Sequence, residues 1–70
     1  MSILHTIAIN VKKERFNKNL TQEDLAYKAG LHPNYIGLIE RQKRNVSVLA
    51  LSKIAKALGV KLTSLLDSKQ

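Results

Sequence analysis

Residues 22–41, QEDLAYKAGLHPNYIGLIER, decide the fold of this chain, because they predict two short helices joined by a tight turn. Apolar residues recur at helical spacing on one face of each helix, namely Leu25, Ala26 and Ala29 on the first and Ile36 and Ile39 on the second. Gly30 lies between the two helices and can adopt the left-handed backbone conformation that such a turn requires. The stretch therefore predicts a compact pair of crossing helices.

The composition indicates one small domain that spans residues 1–70. Hydrophobic residues make up 44% of the chain, which is enough for a compact core and argues against disorder. Because so short a chain buries a small fraction of its surface, association with a second copy would add useful buried area. The chain contains no cysteine, which excludes a disulfide framework and a cysteine zinc site and is compatible with a reducing cytoplasm.

The net charge points to an anionic partner. Twelve Lys and Arg residues against five Asp and Glu give a formal charge of +7. A positive field of this kind favours nucleic acid, an anionic membrane surface or an acidic protein, although a basic surface can also serve solubility alone. The apolar run at residues 3–11 is too short to span a bilayer and has no features of a targeting segment. Together with the crossing helices, the charge favours a helix that enters the DNA major groove.

Helical periodicity extends along the whole chain and predicts an all-α fold of five helices with short connections. The predicted helices cover residues 3–17, 22–29, 33 to 41 or 42, 48–58 and 62–66, followed by a polar tail at 67–70. On the first helix, Ile3, Ile7, Val11 and Phe16 form the expected inner stripe. The first helix is therefore expected to pack along most of its length.

Several residues fit the ends of these helices. Thr21 and Asp24 have the spacing of a capping box before the second helix, and Ser47 is a suitable cap for the fourth. Asn19 and Gly59 are expected to adopt left-handed conformations where the first and fourth helices end. These signals predict helix boundaries that agree with the apolar periodicity.

The third helix carries less usual residues. Pro33 suits its first position, which places the less favourable His32 at its N-cap. Gly37, in its interior, costs about 1 kcal/mol of helix stability relative to Ala. We therefore expect a close approach of its backbone to DNA or to the second helix.

The segment from Val11 to Leu66 resembles the phage repressor/Cro-type helix-turn-helix family, also called the XRE family. The resemblance is carried by Arg15, Leu20–Glu23, Leu25–Ala26, Ala29–Leu31, Ile36, Ile39–Glu40, Ser47 and Ile54–Leu58. The strings QEDLAYKAGL, NYIGLIER and KRNVS look like the controller proteins of restriction–modification systems, which are small homodimeric transcription factors. The chain departs from the family at Gln42, where Gly is usual, at His32, and at Glu14.

The leading residues of the third helix are the candidates for reading DNA bases, and the resemblance implies base contacts at the same positions, Pro33, Asn34 and Tyr35. The amide of Asn34 can donate and accept together, which suits adenine. Tyr35 offers a hydroxyl group and an aromatic edge, whereas Pro33 offers only apolar contact. The alternative is that Asn34 is a solvated helix residue and that Tyr35 packs on the surface.

The loop after the third helix supplies further candidates. Arg44 can read guanine or enter a narrow minor groove, and the resemblance implies that it contacts DNA. A solvated basic loop is the alternative. The phosphate-binding candidates share polar or cationic side chains, and they are Gln22, Lys28, Lys43, Asn45 and Ser47. For Gln22, the resemblance implies a phosphate clamp aided by the N–H groups at the start of the second helix.

Two further sets of residues have structural roles. The resemblance implies a buried or half-buried ion pair between Arg15 and Glu40 that joins the first helix to the third. Apolar residues in excess of the obvious needs of the core are Leu49, Val60, Leu62, Leu65 and Leu66. These residues either fill the core or form the interface of a homodimer, as the resemblance implies.

Nothing in the chain predicts an enzyme, a cofactor or a metal site, since His5 and His32 lack acidic partners at motif spacing. The sequence predicts a dimeric regulator that binds double-stranded DNA at a near-palindromic operator and blocks or recruits RNA polymerase. The alternatives are a phage or plasmid repressor or an antitoxin of the same fold, and an adaptor that binds protein rather than DNA.

Overall fold

The computed structural model describes residues 2–68, which form five α-helices and no strand. The helices are α1 (Ile3–Asn17), α2 (Gln22–Ala29), α3 (Tyr35–Glu40), α4 (Val48–Leu58) and α5 (Leu62–Leu66). The prediction of a five-helix all-α fold is confirmed. Residues 69 and 70 of the predicted polar tail lie outside the described residues.

The predicted capping interactions are present. The Thr21 hydroxyl accepts from the Asp24 N–H, and the Asp24 carboxylate accepts from the Thr21 N–H, each at 3.0 Å. The Ser47 hydroxyl accepts from the N–H of Ala50 at the start of α4. Gly30 has a φ of 69° directly after α2, so it makes the turn into α3 as predicted.

The start of α3 differs from the prediction. The helix begins at Tyr35 rather than Pro33, because the Tyr35 N–H bonds to the His32 carbonyl in a tighter three-residue turn. His32 nevertheless caps this turn, since its Nδ1 atom accepts from the Asn34 N–H at 3.1 Å. The helix ends at Glu40, and Gln42 follows with a φ of 58° in the left-handed region where the family usually has Gly.

The core lies where α2 packs on α4 and where α1 packs on α3 and α5. Its largest fully buried side chains are Leu25, Ile36, Ile54, Leu58, Leu65 and Val11. The inner stripe of α1 is shorter than predicted, because Ile3 and Phe16 are 55% and 59% exposed at its two ends. None of the described helices is long and apolar enough to cross a membrane.

Two buried polar residues on α1, Arg15 and Asn10, connect this helix to α3 and to the end of α5. Arg15 joins α1 to α3 through Glu40, at 2.7 Å between Nε and Oε2. Asn10, 4% exposed, donates from Nδ2 to the carbonyls of Leu65 and Asp67, at 3.0 and 2.8 Å. Through these two bonds, Asn10 of α1 caps the carboxyl end of α5. The sequence analysis assigned no role to Asn10.

Candidate nucleic-acid interface

The leading end of α3 projects from the domain. Pro33 and Asn34 are exposed, and Tyr35 is half-buried, whereas Ile36 and Ile39 face the core. The Asn34 side chain makes no capping hydrogen bond at the helix start. The three residues predicted to read bases therefore lie together at one exposed tip, and the Asn34 amide is available to a ligand there.

The loop after α3 folds back towards the same tip. The guanidinium carbon of Arg44 lies 5.4 Å from the centre of the Tyr35 ring, which is a cation–π contact. Arg44, Lys43 and Asn45 are all exposed. The structure thus places the predicted loop arginine beside a predicted base-reading residue, although the two are nine positions apart in sequence.

Gln22 occupies a tethered position at the first residue of α2. Its Nε2 atom donates to Glu40 Oε1 at 3.1 Å, and the same carboxylate accepts from Arg15 Nε and Nη2. The hydrogen bond to Glu40 raises the pKa of Arg15 above its ordinary value, although burial acts in the opposite direction. The Gln22 amide is therefore held by a buried, charged network that connects α1, α2 and α3.

Gly37 makes room for this arrangement. A Cβ atom at this position would lie 3.0 Å from Gln22 Oε1 and 3.1 Å from Arg41 Nη1. At these distances each of the two side chains would have to move by a few tenths of an ångström. The expected close approach to the second helix is therefore present, and the Gln22 side chain makes it. Arg41, absent from the sequence-predicted set, is exposed beside α3, and only the tertiary structure brings it to Gln22.

The other phosphate candidates lie in two places. Ser47 is exposed at the start of α4, close in the chain to the loop that carries Lys43 and Asn45. Lys28 is not with them, because it lies in the last turn of α2, about 9 Å along the helix from Gln22. Lys28 instead lines a shallow cleft of about 450 Å³ with Lys53 and Lys56 of α4.

The predicted dimer residues separate into three groups. Leu49 and Leu66 are exposed, by 68% and 39%, whereas Val60 and Leu62 are half-buried against the core. Leu65 is fully buried, so its assignment to an interface is wrong and it is a core residue. Its side chain points inward because α5 packs against α1.

An apolar groove of about 550 Å³ adjoins the exposed members of this set. Leu62 and Leu66 line it from α5, and Ile3 and Val48 line it from α1 and α4. Val48 is 75% exposed, so with Leu49 it presents two large apolar side chains at the start of α4. The sequence analysis did not assign Ile3 and Val48 to this surface, because helical spacing alone does not show which neighbour each side chain faces.

The described residues contain no group of three or more His, Cys, Asp or Glu side chains that could hold a metal ion.

The chain is similar to known helix-turn-helix proteins. A family model described as Helix-turn-helix (HTH_3) matches residues 11–65. Control protein C.SmaI of Serratia marcescens is 46% identical over 66 residues, which cover 94% of this chain and 79% of that protein. Control protein C.BamHI of Bacillus amyloliquefaciens is 50% identical over 58 residues, which cover 81% of this chain and 72% of that protein.

A solved complex has the same fold. The structure of C.Esp1396I bound to a 25 base pair operator site matches with a TM-score of 0.83 and 40% identity, and the match covers 93% of this chain and 86% of that chain. C.Esp1396I is described as a restriction-modification controller protein.

Proposed function

This chain belongs to the helix-turn-helix family of phage-repressor type, and on that basis we infer that it is a DNA-binding transcriptional regulator, the controller of a restriction–modification system. The observation that carries this conclusion is the exposed tip of α3, in a fold that matches a controller bound to its operator. Two control proteins among its relatives favour this role over that of a phage repressor or antitoxin.

The tip of α3 enters the major groove in this proposal. Asn34 forms paired hydrogen bonds with an adenine edge, for which its exposed amide has the right donor and acceptor. Tyr35 contacts a neighbouring base or phosphate, and Pro33 makes apolar contact with a thymine methyl group. Arg44, held against the Tyr35 ring at 5.4 Å, reaches the same groove or the adjacent minor groove.

Contacts to the DNA backbone set the register of the protein. Lys43, Asn45 and Ser47 supply a cation and polar groups next to the reading tip, and the first turn of α2 at Gln22 supplies N–H groups. Lys28 lies farther along α2 and would reach only a backbone that bends around the domain. These contacts add affinity for any sequence and make it sensitive to salt.

We propose that two copies bind one operator. Leu49 and Leu66 are exposed apolar residues of the predicted interface, with Val60 and Leu62 at its margin. Val48 and Ile3 extend this surface. A two-fold axis through it would place two α3 tips about 34–36 Å apart, one turn of DNA, on a near-palindromic site.

The regulatory step follows from where the operator lies. A dimer bound over a promoter blocks RNA polymerase, and a dimer bound beside it can recruit the enzyme. We place this activity in the cytoplasm, where bacterial relatives would meet DNA and polymerase together. No catalytic step is part of the proposal.

Selection of bound sites from a random duplex library tests the proposal. We expect a two-fold symmetric consensus whose half-sites are centred one DNA turn apart. For Asn34→Ala, we expect the same selection to show a relaxed base preference at one base pair per half-site. Binding without enrichment of any sequence would contradict base reading. Absent or salt-insensitive binding of duplex DNA would favour a protein-binding adaptor instead.

A further inference from the structure

Arg41 has no assigned role, although it lies at a crowded point of the proposed interface. It directly follows α3, its side chain is exposed, and its Nη1 atom lies above Gly37. Among residues 2–68, no carboxylate lies within ion-pair distance of its guanidinium group. The protein therefore holds an unneutralised cation against the flank of the reading helix.

The buried ion pair determines which atom of Gln22 meets Arg41. The Glu40 carboxylate only accepts hydrogen bonds, so Gln22 must present its Nε2 atom to it, at 3.1 Å. The other end of the amide, Oε1, then points to the space above Gly37. An acceptor and a guanidinium group consequently converge on the same small volume, which exists because residue 37 has no side chain.

We propose that Arg41 binds a DNA phosphate and that Gln22 is a positioning residue that orients the Arg41 guanidinium over Gly37. The proposal rests on the DNA-binding function inferred above and revises the part played by the Gln22 side chain. One of the two N–H groups of its amide is already given to Glu40, and its oxygen, which faces the space above Gly37, can only repel a phosphate there. Arg41 provides the several donors and the permanent charge that a phosphate needs.

The location favours the DNA backbone over a base edge. Arg41 lies six residues after Tyr35, about 9 Å along the helix axis from the reading tip. It lies instead beside the first turn of α2, where the proposed function already places the backbone. A helix that inserts its leading end into the major groove has its trailing end near the phosphates that border the groove.

Salt-dependent binding of labelled operator and random duplexes tests the role of Arg41. Arg41→Gln should weaken binding to both duplexes by the same factor, and the slope of log K against log salt should become shallower by about 0.9. Lys53→Gln is the matched control, because it also removes one exposed charge but lies on α4, in the cleft with Lys28. It should leave the slope unchanged, and Arg41→Lys should restore the slope of the wild type.

A double-mutant cycle tests the role of Gln22. Gln22→Ala should weaken DNA binding in the presence of Arg41 and have little further effect in the Arg41→Gln background. Gly37→Ala, whose Cβ would push both groups back by a few tenths of an ångström, should also weaken binding while the circular dichroism melt remains cooperative. An equal effect of Gln22→Ala in both backgrounds would overturn the positioning role.

The outcomes separate this assignment from the proposed function. Normal binding by the wild type, with an unchanged slope in Arg41→Gln, would overturn the Arg41 assignment alone. So would an equal change of slope in Lys53→Gln, because it would reveal an effect of net charge only. A wild type that retains no duplex at low salt would overturn the function and this assignment together.

Discussion

Arg15 and Glu40 form a bidentate ion pair that joins the first helix to the third. The Nε–Oε2 and Nη2–Oε1 distances are 2.7 and 2.9 Å, and the side chains are only 8% and 4% exposed. Arg15 Nη1 also donates to the Leu20 carbonyl at 2.8 Å, while Glu40 accepts from Gln22. One buried pair therefore holds α1, the α1–α2 connection, α2 and α3 in fixed relation.

Removal of one partner of this pair should be costly. Glu40→Ala leaves the Arg15 guanidinium buried and unpaired, so we expect a loss of about 3–5 kcal/mol in the free energy of unfolding. Urea denaturation followed by circular dichroism measures it. An Arg15→Met/Glu40→Leu double variant should recover much of that loss, because it leaves no stranded charge. A decrease of less than about 1 kcal/mol in the free energy of unfolding of Glu40→Ala would show that the pair does not stabilise the packing of α1 on α3.

Asn34→Ala should weaken binding to the selected operator by about 1–3 kcal/mol and relax preference at one base pair per half-site. The physical reason is the loss of a paired hydrogen bond to adenine at the exposed tip of α3. Fluorescence anisotropy with operator and random duplexes measures the two affinities. Asn17→Ala, an exposed change at the end of α1, serves as the control. An equal loss on both duplexes would argue against base reading.

Lys43→Ala should weaken binding to every duplex and reduce the salt slope by about one unit, because one phosphate contact is lost. Lys12→Ala removes the same charge from the exposed face of α1 and should leave the slope in place. Titrations at several salt concentrations compare the two. If Lys12→Ala matched Lys43→Ala, the loop lysine would act only through the net charge.

Leu49→Asp should dissociate the proposed homodimer. Leu49 is 68% exposed in the single chain, so the substitution should barely alter folding, but it places a charge in the apolar interface. We expect the dimer dissociation constant to rise tenfold or more, equivalent to about 1.4 kcal/mol, in sedimentation equilibrium. Tyr27→Asp provides the comparison, since Tyr27 is 88% exposed on α2, outside the proposed interface. Dimers of undiminished affinity in Leu49→Asp would exclude this surface.

The capping box of α2 should make stability depend on pH. Hydrogen bonds from the Thr21 backbone and hydroxyl lower the pKa of Asp24 below its ordinary 3.8. The stabilisation is therefore complete above the unfolded-state pKa, near 3.8, and is lost as the pH falls through the lower folded-state pKa. The melting temperatures of the wild type and of Asp24→Asn should differ at pH 7. They should converge as the pH falls through the folded-state pKa of Asp24, below 3.8. A constant difference across this range would contradict the linkage.

The features that could be predicted from sequence are those with short-range causes. The Thr21–Asp24 box, the Ser47 cap and the left-handed Gly30 each need only a few neighbouring residues, and all three are present. The predicted start of α3 was wrong by two residues, because the helix begins at Tyr35 rather than at Pro33. Pro33 is compatible with a first helical position. However, the His32 carbonyl accepts from the Tyr35 N–H and the His32 ring accepts from the Asn34 N–H, which forms a tighter turn before the helix.

The features that could not be predicted depend on contacts between distant residues. The burial of Leu65 and the role of Asn10 both require knowledge that α5 packs on α1. The space above Gly37, where Gln22 and Arg41 meet, exists only once α2 and α3 have crossed. The local sequence pattern predicts the helices and the exposed residues at the start of α3. The contacts that hold α3 in place form only when the helices have packed together.

The contact between Asn10 and the end of α5 also bears on how the protein is made. The ribosome releases residue 10 long before residue 67, yet the carbonyls near residue 67 are the partners of the Asn10 amide. A nascent chain that has not yet exposed residues 62–67 therefore lacks this contact between α1 and the end of α5. The packing of α5 against α1 is therefore completed only after almost all of the described chain has left the ribosome.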